Sequence, residues 1–129
     1  MLQAPEPSIK PGYAITGNRA FLETGSPASR TFTHGTPLGN LTIAAQGTFY
    51  VDWGDGTPRS GPFDTSGAAY PNGTITHVWE DTGRYTVTVY EQWTATWSLG
   101  GQTGTLTGLQ TTGTLPNFEV RQLESVRNR

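Results

Sequence analysis

The feature that most constrains the fold of this chain is the alternation of apolar and polar residues over positions 85–99. Side chains of a β-strand point to opposite faces in turn, so a period of two predicts a strand with one buried face. A strand of roughly fifteen residues far exceeds the usual five or six and overshoots the body of a compact sandwich. The apolar face reads Tyr85, Val87, Val89, Trp93, Ala95, Trp97 and Leu99.

A hairpin is expected directly after this strand. Gly100 and Gly101 supply the backbone freedom that a tight turn needs. Residues 103–109 can then return alongside residues 93–99. We therefore expect a β-hairpin arm over about 91–112 that protrudes from one end of the domain.

Trp93 and Trp97 lie on one face of the predicted arm, beyond the expected end of the sandwich. If exposed, they would stack on sugar rings or anchor a protein partner. Alternatively, they pack over the returning strand, against Leu106 and Leu109. The sequence leaves both interpretations open and makes Trp93 and Trp97 the candidate binding residues.

Short apolar runs separated by turn-forming residues precede this region, a spacing typical of sandwiches and barrels. Residues 1–12, which hold three prolines, are expected to form a lead-in or linker, and residues 13–129 a single domain. We expect a turn at Gln46-Gly47 and a long loop over 57–73 that allows at most brief pieces of strand. Strands are expected at 13–16, 20–24, 30–33, 41–45, 49–53 and 74–79.

The stretch 118–126 allows two interpretations. Val120, Leu123 and Val126 are spaced to share one face of a helix. The fold context favours a final strand that pairs with residues 85–90, and we predict the strand. Because the chain ends without a closing turn, we expect it to be a fragment of a longer protein.

Composition argues against several classes of function. A formal net charge of −2 with scattered basic residues gives no field that would attract nucleic acid. The chain has no cysteine, which excludes disulfides and thiolate metal sites. No stretch approaches the roughly 20 apolar residues of a membrane-spanning helix. The first residues also lack the basic start and apolar run of a secretory signal.

Three motifs follow one another in the middle of the chain. Residues 49–56, Phe-Tyr-Val-Asp-Trp-Gly-Asp-Gly, indicate a strand that enters a tight turn. His77-Val-Trp79 comes next, and then Asp81-Thr-Gly-Arg-Tyr85-Thr-Val-Thr-Val89. In this order the motifs closely resemble the polycystic-kidney-disease (PKD) domain, which is marked by a W-D-F-G-D-G turn, H-x-Y and G-x-Y-x-V-x-V.

The resemblance implies an all-β, immunoglobulin-like (PKD-type) β-sandwich of about seven strands, with the long hairpin between the last two. Two positions depart from the family pattern: Trp79 replaces a tyrosine, and the indole of the turn strand stands at Trp53 rather than at Val51. Tyr85 matches the corner tyrosine of such folds, whose hydroxyl ties down backbone. The signature residues are Asp52, Trp53, Gly54, Asp55, Gly56, His77, Trp79, Gly83 and Tyr85.

The carboxylates of the turn are the candidate metal ligands. Asp52 and Asp55, with Asp81, could coordinate Ca²⁺, as some PKD-type domains do near this turn. In the structural alternative, Asp55 accepts turn amides and Asp52 fastens neighbouring backbone. No other cofactor is expected.

His77 beside carboxylates raises the question of hydrolysis. An enzyme needs a nucleophile, a base and oxyanion donors that converge in a pocket, and the sequence offers no such set around His77. We expect a structural histidine bonded to the turn at 52–56, and no enzymatic activity.

The expected function is that of a non-catalytic interaction or spacer module of a bacterial cell-surface or secreted protein, in contact with a protein partner. One alternative is a carbohydrate-binding accessory module of a secreted hydrolase, which an exposed row of tryptophans would favour. Another is a structural subunit of a larger assembly, in which the hairpin pairs with a neighbour by strand addition. The isolated domain is expected to be an extracellular monomer.

Overall fold

The computed structural model describes residues 4–122, which form two β-sheets and no helix. The large sheet has the order β2-β9-β8-β5-β4, with β6 also paired to β5, and the small sheet has the order β1-β3-β7. Within this range there is consequently no helix long and apolar enough to cross a membrane. The strands are β1 (Ser8–Ile9), β2 (Tyr13–Ile15), β3 (Ala20–Glu23), β4 (Ser29–Thr36), β5 (Gly39–Asp52), β6 (Ser60–Phe63), β7 (Thr76–His77), β8 (Gly83–Leu99) and β9 (Gln102–Arg121).

The predicted all-β class is confirmed, and the two sheets agree with a β-sandwich. The described residues contain nine strands, against about seven expected. The two strands without a predicted counterpart are β1 and β6, which have two and four residues and are too short to show a periodic pattern. Strand β6 lies inside the long loop over 57–73 and is one of the brief pieces of strand that the sequence allows there.

The side chains of β8 alternate between a buried and a more exposed face of the sheet, as the sequence predicts. Val87 and Val89 are fully buried, while the even positions between them face the other side of the sheet. A turn at Gly100-Gly101 joins β8 to β9, and Leu99 pairs with Gln102 and Trp97 with Gly104. The return of residues 103–109 along residues 93–99 is therefore present.

The expected turn at Gln46-Gly47 is wrong. Strand β5 runs without interruption for 14 residues and pairs with β8 from Thr42 to Asp52. The glycine is explained by packing, because a Cβ at Gly47 would overlap the side chain of Glu91 on the neighbouring strand. Gly47 thus makes room for Glu91 instead of reversing the chain.

The protruding hairpin has neighbours in the sheet. Strands β4 and β5 form a second hairpin, and β5 pairs with β8 up to Ser98, so four strands project together. We call this part the extension; it comprises residues 29–36, 39–46, 93–99 and 102–109. The sequence predicts only the β8–β9 hairpin in this part, because residues 30–33 and 41–45 indicate short strands and not a second long hairpin.

Two separate hydrophobic clusters show where the second sheet ends. The main cluster joins both sheets through Ile9, Leu22, Phe49, Val51 and Val89, among others. The smaller cluster holds Ala45, Trp93 and Ala95 with Ile43 against them, all on β5 and β8. No residue of the small sheet belongs to the smaller cluster, so the extension is a single layer.

Both ends of the described chain pack on the sandwich. In the segment expected to be a lead-in, Pro5 and Pro7 are buried and β1 pairs with β3. At the other end, β2 lies parallel to residues 119–121 of β9. The expected final strand pairs with β8 through Phe118 and Tyr85, and its residues 123–126 lie outside the described residues.

Candidate functional site

The turn after β5 is held by its own aspartates. Asp52 Oδ1 accepts a hydrogen bond from the Gly54 amide at 3.0 Å. Asp55 Oδ1 accepts from the amide and the hydroxyl of Thr57, at 3.1 Å and 2.5 Å. Side chains of this kind that bond backbone two residues ahead are what fixes an Asx-type turn.

His77 connects this turn to β7. Its Nε2 lies 2.8 Å from Asp55 Oδ2, and its ring stacks on the Trp53 indole with centroids 4.6 Å apart. Trp53 is fully buried and donates from Nε1 to Ser60 Oγ at 2.9 Å. Trp79 packs edge-on against both rings. The signature residues of the turn and of the histidine motif are thus brought together.

The hydrogen bonds of this cluster stabilise the turn after β5. Burial raises the pKa of Asp55, but hydrogen bonds from Thr57 and His77 outweigh it, so that the pKa lies below its usual value. Both carboxylate oxygens of Asp55 are engaged by protein donors, and the nearby Thr57 hydroxyl is bonded to the same carboxylate. The His–Asp pair therefore serves the fold and has no free hydroxyl bonded to His77 within the described residues.

Asp81 does not join the two turn aspartates. Its backbone oxygen accepts the Tyr85 hydroxyl at 2.8 Å, the corner contact that the resemblance implies. Among residues 4–122 no three His, Asp or Glu side chains are grouped closely enough to hold a metal ion. Calcium binding by Asp52, Asp55 and Asp81 stays a prediction, and the hydrogen bonds in hand favour the structural role.

The two candidate binding tryptophans differ in environment. Trp93 is 1% exposed, donates from Nε1 to Thr111 Oγ1 at 3.1 Å, and lies 6.0 Å below the Arg30 guanidinium. Its ring is closed to a ligand. Trp97 is half-buried and lies over Gly104, where a Cβ would overlap the indole. Of the two, Trp97 alone offers surface for contact.

A buried carboxyl group that sequence reasoning missed lies at the base of the extension. Glu91 is fully buried and accepts a hydrogen bond from Ser26 Oγ at 2.7 Å, while its Oε2 has no partner among the described residues. Burial raises the pKa of Glu91 to about 7, against the lowering effects of Ser26 and Arg30. Its odd position within the alternation of residues 85–99 was the available signal, because it places an acid on the apolar face.

Apolar side chains are exposed on the extension and in the turn that joins its first two strands. Leu38, in the turn between β4 and β5, is 75% exposed, and Leu106 and Leu109 on β9 are 46% and 42% exposed. Gly100 lies beside the Leu38 carbonyl, so the two hairpin turns meet at the tip. Apolar groups thus line the end and one side of the single-layer sheet.

Comparison of the chain with protein-family models, with curated proteins and with solved structures finds no match.

Proposed function

We propose that this chain is a non-catalytic, PKD-type interaction module that binds protein partners through its extension. One observation carries the proposal: four strands continue past the layer that covers the rest of the large sheet. A single layer with open edges offers main-chain donors and acceptors to an added strand, and the exposed Leu106 and Leu109 of β9 to side-chain contact.

The unpaired edge of β9 and its lack of charged residues support this role. Within the described residues, β9 is paired on one side along most of its length, and its other side meets only β2 at residues 119–121. Residues 102–117 contain no charged residue, although charges are a common means of protecting a sheet edge. The edge is therefore chemically suited to a neutral, extended partner strand.

A catalytic role is less well supported by the same geometry. The only close His–Asp pair in residues 4–122 braces a turn and is stacked against a buried indole. A hydrolase site would need a nucleophile that bonds the histidine and a pocket in front of it.

Carbohydrate binding remains the alternative to a protein partner. It relied on an exposed row formed by Trp93 and Trp97, and Trp93 is 1% exposed. One partly exposed indole, that of Trp97, is a small platform for a sugar chain, which favours a protein partner. The extracellular, bacterial setting is proposed from the motif resemblance to PKD domains.

A peptide-display selection tests the proposal. The immobilised domain, kept dilute, is offered a random library, and bound peptides are then competed with soluble domain. We expect uncharged sequences rich in β-branched residues, whose binding is lost when Leu106 and Leu109 are both changed to Lys. The matched control, Leu38→Lys, should retain binding. Enrichment that ignores the double change, or no enrichment, contradicts the proposal.

A further inference from the structure

The pairing of β9 with β8 contains two irregularities, and the one between Trp93 and Ala95 lies within the extension. Trp93 pairs with Leu109 and Ala95 with Leu106, so Thr107 and Gly108 together stand opposite Thr94. This is a β-bulge, and Gly108 adopts a φ of 82° within it. Because of the extra residue, Leu106 and Leu109 point to the same face of the sheet.

On either side of this bulge, the side chains of β9 alternate between the two faces of the sheet in a mirrored order. Residues 102, 104 and 106 before it, and 109, 111 and 113 after it, share the apolar face, since they pair with the odd positions of β8. The threonines at 103, 105 and 112 and Gln110 share the opposite face. A strand of this kind presents the same pattern when it is read in either direction from the bulge.

Such symmetry is what a twofold contact requires, because each copy must offer the same patch to the other. An antiparallel pair of β9 strands about an axis between Thr107 and Gly108 sets Leu106 opposite the second copy's Leu109, and the reverse. It also sets Gln102 opposite the second copy's Gly113. All paired positions then agree in face over residues 102–113.

The surroundings permit this pairing. Among residues 4–122, the only strand on that side of β9 is β2, which pairs with residues 119–121, beyond the paired segment. No charged residue occurs between Gln102 and Asn117, so no like charges meet across the axis. Two of the most exposed large apolar side chains, Leu106 and Leu109, would be covered together with their counterparts.

We propose that the β9 edge, over residues 102–113, binds the same edge of a second copy of this chain, giving a twofold dimer with one continuous sheet. Four β-strands from each extension then form an eight-stranded layer with four leucines at its centre. This inference depends on the proposed interaction role of the extension and replaces the expectation of a monomer.

Sedimentation equilibrium over a range from about 1 µM to 0.5 mM tests the dimer. Wild-type protein should pass from 13.9 kDa toward twice that mass as concentration rises. The double variant Leu106→Lys/Leu109→Lys brings four like charges to the axis, which should weaken association by at least about 100-fold. Leu38→Lys, on the turn of the neighbouring hairpin, should associate as the wild type does.

A charge-complementation test checks the register. A second double variant, Leu106→Glu/Leu109→Glu, should also be monomeric alone, because the same positions then carry only negative charges. An equimolar mixture of the Lys and Glu double variants should form a heterodimer, since each Lys faces a Glu across the axis. Circular dichroism of each variant alone verifies that the fold is kept.

Three results would overturn the dimer: wild-type protein that stays at 13.9 kDa throughout, a Lys double variant that associates as tightly as wild type, or a mixture that stays monomeric. These outcomes are separable from failure of the proposed function. A wild-type monomer that still selects peptides through Leu106 and Leu109 leaves the interaction role intact and removes only the second copy as the partner.

Discussion

Replacing Glu91 with Gln should abolish a large part of the pH dependence of stability near neutral pH. The folded state holds a proton on Glu91 up to a pKa of about 7, whereas in the unfolded chain the group titrates near 4.5. Between these values the unfolded chain has lost the proton and the folded chain has kept it. Stability therefore falls as pH rises from about 4.5 to about 7, and the loss is complete above that window.

The size of the effect follows from the shift. From 4.5 to about 7, at roughly 1.4 kcal/mol per pKa unit, the free energy of unfolding should drop by about 3 kcal/mol. Gln is neutral at every pH and its amide oxygen can still accept the Ser26 hydroxyl. The variant should therefore match the wild type near pH 4.5 and exceed it by up to about 3 kcal/mol at pH 8, roughly 10 °C in Tm.

Urea denaturation at a series of pH values measures this difference. Glu119→Gln is the matched control, because Glu119 lies near the surface in contact with Arg121, and it should leave the wild-type profile unchanged. Other titrating groups, including Asp55, cancel when the variant is compared with the wild type. Parallel stability curves for wild type and Glu91→Gln would refute the reasoning, since the buried carboxyl would then not change its proton affinity on folding.

Three further outcomes are expected. Gly47→Ala should destabilise the protein by about 1–3 kcal/mol in urea denaturation, because the new Cβ overlaps Glu91. Gly35→Ala in β4 is the control and should cost much less, because its new Cβ makes only an ordinary contact with an Asn40 oxygen. Asp55→Asn should lower Tm equally with Ca²⁺ and with EDTA, since its partners are His77 and Thr57; a calcium-dependent shift of the wild type that the variant lacks would instead make Asp55 a ligand. Iodide should quench the fluorescence of Trp97 and leave the buried Trp93 shielded, so that Trp97→Phe removes the quenchable fraction; quenching that persists in this variant would contradict the assignment.

The sequence predicts those features that repeat or that follow a local rule. The period of two gave β8 its length and face, and two glycines placed the turn at 100–101. The aspartates of residues 52–55 lie in a turn that bonds to His77. Each of these depends on residues close in the chain or on a pattern sustained over many positions.

Features that depend on a distant neighbour were not accessible in this way. Gly47 looked like a turn residue because its real constraint, the side chain of Glu91, lies on another strand. The burial of Trp93 depends on Arg30 above its ring and Thr111 at its nitrogen, both far away in sequence. The extension needs β4 beside β5, and a single sequence does not indicate how far two strands stay paired.

The parallel pairing of β2 with β9 has a consequence for folding order. It joins Tyr13 to Glu119, over 100 residues apart, so this contact carries a large loop-closure entropy. The β4–β5 and β8–β9 hairpins, by contrast, join neighbours in the chain. Since local contacts form faster than distant ones, the projecting hairpins should assemble first and the body of the sheet should close last. A chain that refolds from the unfolded state would then form its two long hairpins before β2 joins β9.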